Sequence, residues 1–257
     1  LTEFVNHIRG EEGSQVHLVI ARSGEAENLE FDITRKNLVL PTVSSQMLEN
    51  HTGYIQVTEF TEHTAEQFEE ALDSLQGDGM TALIVDLRSN PGGMLTSVCD
   101  MLDDILPKGL LVYTEDRSGK RVDYTSTDEK TLDLPLAVLV NGYSASASEI
   151  FAGAIQDRKA GTIIGTTTYG KGVVQSILTL KDGSAFKITT NRYFTPSGTC
   201  IQGIGITPDE ELEYEFTGPE GVGYSVEYDN PESVGSIATV KIVCYYASYS
   251  LLFERKI

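Results

Sequence analysis

A serine placed where a buried strand turns into a helix can act as a nucleophile. The stretch Asn141-Gly142-Tyr143-Ser144-Ala145-Ser146-Ala147-Ser148-Glu149 is such a place, since it follows the apolar run 136–140 and opens a segment of helical spacing over 147–159. The first N–H groups of a helix lack intrahelical partners, and the helix dipole favours negative charge there. Ser146 would therefore sit beside donors suited to a tetrahedral oxyanion. Ala145 and Ala147 leave room for a substrate backbone. Taken alone, the stretch reads first as a helix cap, because serine is among the best N-cap residues.

A nucleophilic serine needs a base. The four histidines, His7, His17, His51 and His63, all fall in the first quarter of the chain, and Ser-x-Ser-x-Ser is not the G-x-S-x-G pattern that accompanies a histidine triad. The other candidate is lysine, which acts as a base only when neutral, a state that burial favours. Lys171 lies in Tyr169-Gly170-Lys171-Gly172-Val173-Val174 and is the only charged residue between Lys159 and Lys181. Its competing reading is a surface lysine at a turn. The same stretch imitates a phosphate-binding G-x-x-x-x-G-K, but Gly172 stands where Ser or Thr would hold magnesium, and a strand-like run follows instead of a helix. Nucleotide binding is excluded on both counts. Asn90-Pro91-Gly92-Gly93 also joins a buried strand to a helix, and its glycines allow close backbone approach and exposed N–H donors.

The elements that must position these groups alternate. Strands are expected over residues 16–21, 29–33, 38–43, 54–58, 81–87, 110–113, 136–140 and 162–165, and helices over 64–75, 94–105 and 147–159. The first helix has Thr64 and Gln67 as a capping box. Residues 173–180 and 185–190 flank Lys181-Asp182-Gly183-Ser184 as a hairpin. This is a mixed α/β fold with part of its sheet parallel. An amphipathic pattern over residues 1–8 reads as the end of a helix in a module that is cut short.

The chain has 257 residues, 40% hydrophobic and 22% charged, with a formal net charge of −19. Such an acidic chain is unsuited to nucleic acid or to an anionic membrane surface, both of which call for Lys and Arg clusters. Cys99, Cys200 and Cys244 are odd in number and form no C-x-x-C, so neither a disulfide framework nor a zinc site is signalled. The apolar stretch 242–253 is too short to span a bilayer.

Taken together the segments resemble the carboxy-terminal processing (tail-specific) serine peptidases. The matching pieces are residues 53–57 (Gly-Tyr-Ile-Gln-Val), 85–93 (Val-Asp-Leu-Arg-Ser-Asn-Pro-Gly-Gly), 144–149, 169–175, 193–198 (Tyr-Phe-Thr-Pro-Ser-Gly) and 205–209 (Gly-Ile-Thr-Pro-Asp). Several motifs in register are far more specific than any one. The resemblance implies that Ser146 is the nucleophile, that Lys171, 25 residues on, is its base, and that Gln175 positions the lysine. It implies an oxyanion hole from the N–H of Ala147 with that of Gly92 or Gly93. It implies a crotonase-like spiral of ββα units, no metal and no cofactor. Substrates would be polypeptides with accessible C-terminal ends, and a homo-oligomer or a regulatory partner is possible. The location would be extracytoplasmic, in the cell envelope, the periplasm or secreted, although no signal or anchor segment is read in the chain.

Three regions follow: residues 1–37 as the C-terminal part of a PDZ domain whose carboxylate-binding loop would lie upstream, 38–216 as the peptidase core, and 217–257 as an acidic then apolar tail. Asp157 matches a position that the family often keeps acidic. On a continuous helix it lies about 16 Å along the axis from Ser146, so it is read as structural. Thr199, where the family often has Arg, and the segment 234–257 depart from the pattern. A catalytically idle peptide-binding scaffold and a crotonase-type acyl-CoA enzyme are the alternative readings.

Overall fold

The computed structural model describes residues 5, 7–22, 24, 26–127 and 131–212, and the backbone of 239–246 and 249–256. The chain divides into two compact units, Leu1–Thr42 and Val43–Ile257, a later division than the one expected after residue 37. In the first unit, β1 (Gln15–Ile20) and β2 (Leu29–Thr34) form an antiparallel pair. The helix expected over residues 1–8 lies largely outside the described residues.

The second unit is built on a six-stranded sheet in the order β12-β9-β8-β5-β4-β3. Its members are β3 (Val43–Met47), β4 (Thr52–Val57), β5 (Ala82–Asp86), β8 (Leu136–Val140), β9 (Thr162–Gly165) and β12 (Glu210–Glu211). All pairings are parallel except the edge pair β3–β4. The connecting strand expected over residues 38–43 is displaced. Pro41 cannot donate to a ladder, and the strand starts beyond it, at Val43. Helix α1 (Thr64–Gly77) connects β4 to β5, α2 (Leu95–Asp103) follows β5, and α3 (Ala147–Asp157) connects β8 to β9. Thr64 is the first helical residue of α1, not its cap, and His63 takes the cap position. Gln67 sends its side-chain oxygen to the Val43 N–H, 3.2 Å away. That bond ties the helix to the sheet edge.

A second, antiparallel sheet has the order β10-β11-β6-β7. It contains β6 (Gly109–Asp116), β7 (Arg121–Ser126), and the expected hairpin as β10 (Val173–Thr179) and β11 (Ala185–Phe194). The last strands, β13 (Thr239–Tyr246) and β14 (Tyr249–Lys256), pair antiparallel.

β5 and β8 are short apolar runs, as befits parallel strands covered on both faces. Leu83, Val85 and Val138 are fully or almost fully buried, and Phe68 of α1, Met101 of α2 and Phe151 of α3 are completely buried in the same core. Truncating a side chain such as Phe151 to alanine would cost about 3–5 kcal/mol. Because β5 and β8 are parallel neighbours, paired through Asp86 and Leu139, the loops after them leave the sheet side by side. That is the place where open α/β sheets carry their ligand sites.

Candidate active site

The two adjacent loops are laced together by buried polar groups. Asn90 has no solvent exposure. Its side-chain amide donates to Val57 O at 2.8 Å, its side-chain oxygen accepts the Gly92 N–H at 2.8 Å, and its backbone carbonyl accepts the Ala145 N–H at 3.0 Å. The outer two serines of Ser-x-Ser-x-Ser fasten the other loop. The Ser144 hydroxyl donates to Leu87 O at 2.8 Å and the Ser148 hydroxyl donates to Asn90 O at 3.0 Å. Both serines are fully buried, and Ser146 between them keeps 7% exposure.

Clamped on both sides, Ser146 caps α3 with φ 57° and ψ −112°. A residue with a Cβ avoids this region unless its surroundings force it there, and the cost is of order 1–3 kcal/mol. A strand-to-helix turn strained in this way lifts a serine hydroxyl out of the sheet toward substrate. No G-x-S-x-G was needed: the flanking serines supply bonds where that motif has glycines.

Gly92 packs against this turn. Gly92 has φ 101°, and a Cβ there would come within 2.6 Å of Ala145 O, 2.7 Å of Ser146 Cβ and 2.9 Å of the Ala147 nitrogen. Glycine at 92 thus keeps open the space in front of the Ala147 N–H. Of the two glycines expected to supply a second donor, Gly92 has its N–H committed to Asn90. The Gly93 N–H has no partner among the described residues, while the backbone on either side of it is held through Phe60 N–H to Gly92 O at 3.0 Å and Met94 N–H to Phe60 O at 2.7 Å.

Lys171 is brought to this place by Glu149, a residue that the sequence reading passed over. Glu149 is completely buried, yet no cation pairs with it among the described residues. Its Oε2 accepts the N–H of Ser146 at 2.8 Å and the N–H of Lys171 at 2.8 Å. Its Oε1 accepts the Thr168 hydroxyl and the Gly170 N–H, each at 2.6 Å. Four donors thus meet its two oxygens. One side chain thereby ties the serine turn to the lysine loop, and the bond from Tyr169 N–H to Ser144 O at 3.0 Å closes the junction. The Lys171 side chain is half-buried.

The sequence model of the S41 peptidases, Peptidase family S41, matches residues 51–212, a span that includes every one of these groups. The chain belongs to peptidase family S41. It is 41% identical over 246 residues to a carboxy-terminal-processing protease of Bartonella bacilliformis, covering 92% of this chain and 56% of that one. It is 37% identical over 239 residues to a carboxyl-terminal-processing protease of Synechocystis, covering 89% of this chain and 56% of that one. The photosystem II D1 C-terminal processing protease superposes with a TM-score of 0.63 at 32% identity, covering 79% of this chain and 57% of that one. The chain therefore spans about half the length of the relatives it matches.

Within this S41 core, Gln175 follows the lysine loop on the first strand of the hairpin. It lies on β10, exposed, where a register irregularity falls between Val174 and Gln175, and its side-chain amide reaches the Thr189 hydroxyl across the hairpin at 3.4 Å. Asp157 lies at the far end of α3 and accepts the Ser197 N–H at 2.8 Å, fixing the Thr-Pro-Ser-Gly turn. Tyr193 of β11 is a second residue missed in the sequence. It is 6% exposed, and its N–H donates to Gly172 O at 2.9 Å. Burial pushes the Tyr193 phenol above its ordinary pKa, and hydrogen bonding with Ser146 works in the opposite direction. Tyr193 opens the matching piece 193–198, but an aromatic at a strand position reads as core packing and gives no sign of a role at the site. Burial likewise pushes the Cys99 thiol up to about 12, with Asp100 adding to the effect.

A surface cavity of about 420 Å³ lies between Pro135, Gln156, Lys159 and Asp209, and neither Ser146 nor Lys171 lines it. No helix among the described residues is long and apolar enough to cross a membrane.

Proposed function

We propose that this chain carries the catalytic part of a serine peptidase that cuts polypeptides near their C-terminal ends. Ser146 is the nucleophile and Lys171 its general base. The observation that carries this reading is the backbone of Ser146, held at φ 57° and ψ −112° on the first turn of a buried helix. Strain of that kind persists only where surrounding structure enforces it, and it clusters at functional sites.

In the reaction, neutral Lys171 takes the Ser146 hydroxyl proton as Oγ attacks the scissile carbonyl carbon. The carbonyl oxygen becomes an oxyanion held by the N–H groups of Ala147 and Gly93. Losing one such donor costs about 10²–10³ in rate. As the C–N bond breaks, Lys171 returns the proton to the leaving amine, and water then hydrolyses the acyl-enzyme. Neither a metal nor a cofactor takes part. The relatives named as processing proteases support polypeptide as the substrate. Gln175 positions Lys171 in this reading; its amide N–H donates to Thr189 at 3.4 Å, and its side-chain oxygen has no partner among the described residues.

Residues 38–216 form the peptidase core with a crotonase-like spiral in this reading, and residues 1–37, which contain the β1–β2 pair, are the C-terminal part of a PDZ domain. The location is extracytoplasmic. An idle peptide-binding scaffold and an acyl-CoA enzyme are separated from this reading by one experiment. A fluorophosphonate should label the chain at Ser146, mapped by peptide mass, and should leave Ser146→Ala unlabelled. Wild-type chain that stays unmodified, or is modified elsewhere, would sink the assignment.

A further inference from the structure

Three loops meet at the Ser146 turn, a fourth is bonded to the lysine loop, and each presents one large apolar side chain to solvent. Met94, beside Gly93, is 46% exposed. Tyr143, ahead of Ser144, is 74% exposed, Tyr169, ahead of Gly170, is 66% exposed, and Ile204 is 59% exposed. The loops are joined by backbone bonds: Tyr169 N–H to Ser144 O at 3.0 Å, and Gly203 N–H to Gly170 O at 2.9 Å. Met94 reaches the same place because Gly92 lies directly against Ser146. Single exposed apolar residues are ordinary. One from each of the four loops that build a site is a pattern.

The charge distribution points the same way. Segments 89–94, 141–147, 167–172 and 201–206 contain one charged residue in all, Lys171. The rest of the chain is densely acidic, with a net charge of −19. A charged substrate side chain entering this mouth would lose water and meet no charged group there other than Lys171, which is unfavourable. An apolar one would gain the contact area of the rim. Tyrosine suits such a rim because it offers a large surface with only two rotatable bonds to order.

We infer that Met94, Tyr143, Tyr169 and Ile204 form an apolar rim that selects substrates by an apolar side chain next to the scissile bond, with Tyr143 and Tyr169 as its main determinants. The inference rests on Ser146 being the nucleophile. It assigns preference at the cut itself to the core unit, apart from any reading of the substrate's C-terminus.

The test uses the full chain and two diphenyl phosphonate probes, one with a phenylalanine-like and one with an aspartate-like side chain. Rates of Ser146 modification are followed by intact mass. The wild type should react with the apolar probe roughly tenfold to a hundredfold faster, the range expected for burying one large apolar side chain. In the double variant Tyr143→Ser/Tyr169→Ser that ratio should fall about tenfold. Both tyrosines are mostly exposed, so the variant should keep its melting temperature. The ratio should be unchanged in Ile177→Ser/Phe186→Ser, which removes exposed apolar side chains from the β10–β11 hairpin. An equal rate for the two probes, or a ratio that survives the double tyrosine variant, would overturn the rim while leaving the Ser146 assignment standing. A chain modified by neither probe nor by a small fluorophosphonate would overturn both.

Discussion

Glu149 Oε2 accepts the backbone N–H of Ser146 and that of Lys171, each at 2.8 Å. The two groups proposed to do the chemistry are thus fastened through their main chains to one buried oxygen. Replacing Glu149 by glutamine keeps the shape but turns an NH₂ group toward N–H donors. Two of the four bonds are lost, and each buried donor left unpaired costs about 1–3 kcal/mol. Glu149→Gln should lower the melting temperature by roughly 4–24 °C, at about 2–4 °C per kcal/mol for a chain of this size. Fluorophosphonate labelling should fall at least tenfold even well below that temperature. A variant that melts and labels like the wild type would show that Glu149 holds neither loop.

The strain at Ser146 predicts an order of stabilities. Ser146→Ala should abolish cleavage and leave the melting temperature close to wild type, since alanine keeps the Cβ and its unfavourable φ of 57°. Ser146→Gly removes the strain, worth about 1–3 kcal/mol, against a loss of about 0.4–1 kcal/mol from the freer unfolded chain. It should therefore be the more stable of the two inactive variants by about 1 kcal/mol. Chemical denaturation of both decides the matter, and a glycine variant less stable than the alanine variant would contradict the strain argument.

Lys171→Arg should be nearly as inactive as Lys171→Ala. The guanidinium does not give up its proton in a protein and so cannot serve as the base. The measurement is the initial rate on an unfolded polypeptide. Substantial turnover by the arginine variant would remove Lys171 from the proton transfer.

Gly92→Ala tests the space in front of the Ala147 N–H. The new methyl would lie 2.9 Å from that nitrogen and 2.7 Å from Ser146 Cβ, at a φ of 101°. Labelling by fluorophosphonate should drop about 10²-fold or more, in line with loss of an oxyanion donor. Stability should also fall, so labelling is to be compared at a temperature where circular dichroism shows the variant folded. Wild-type labelling would mean that the oxyanion is held elsewhere.

Cys99 should be inert. With its thiol pushed up to about 12, only roughly one molecule in ten thousand carries a thiolate at pH 8, and the thiolate is the reactive form. Iodoacetamide at that pH should leave the Cys99 peptide unmodified in the native protein and alkylate it fully in denaturant. The rate should rise steeply with pH above 9 while the protein stays folded. Rapid native alkylation at pH 8 would contradict the burial.

The amino-acid order by itself determined the strand–turn–helix units at 81–105 and 136–159 and the β10–β11 hairpin. These are local signals: apolar runs, turn residues and helical spacing repeat within a few positions. It did not show β7, whose half-exposed Arg-Val-Asp-Tyr-Thr-Ser lacks an apolar face and pairs with β6 across a turn built on Asp116. It also did not show how the site is assembled. The Ser148 hydroxyl finds Asn90 O across 58 positions of sequence, and Glu149 finds the Lys171 N–H across 22. Bonds of that kind have no period. They arise only once β5 and β8 lie parallel and put their loops side by side. The tertiary structure alone decided that Ser146 is forced to positive φ, that Gly93 and not Gly92 has a free N–H, and that Gln175 turns to Thr189. Each outcome depends on which buried donor meets which acceptor after the sheet has formed.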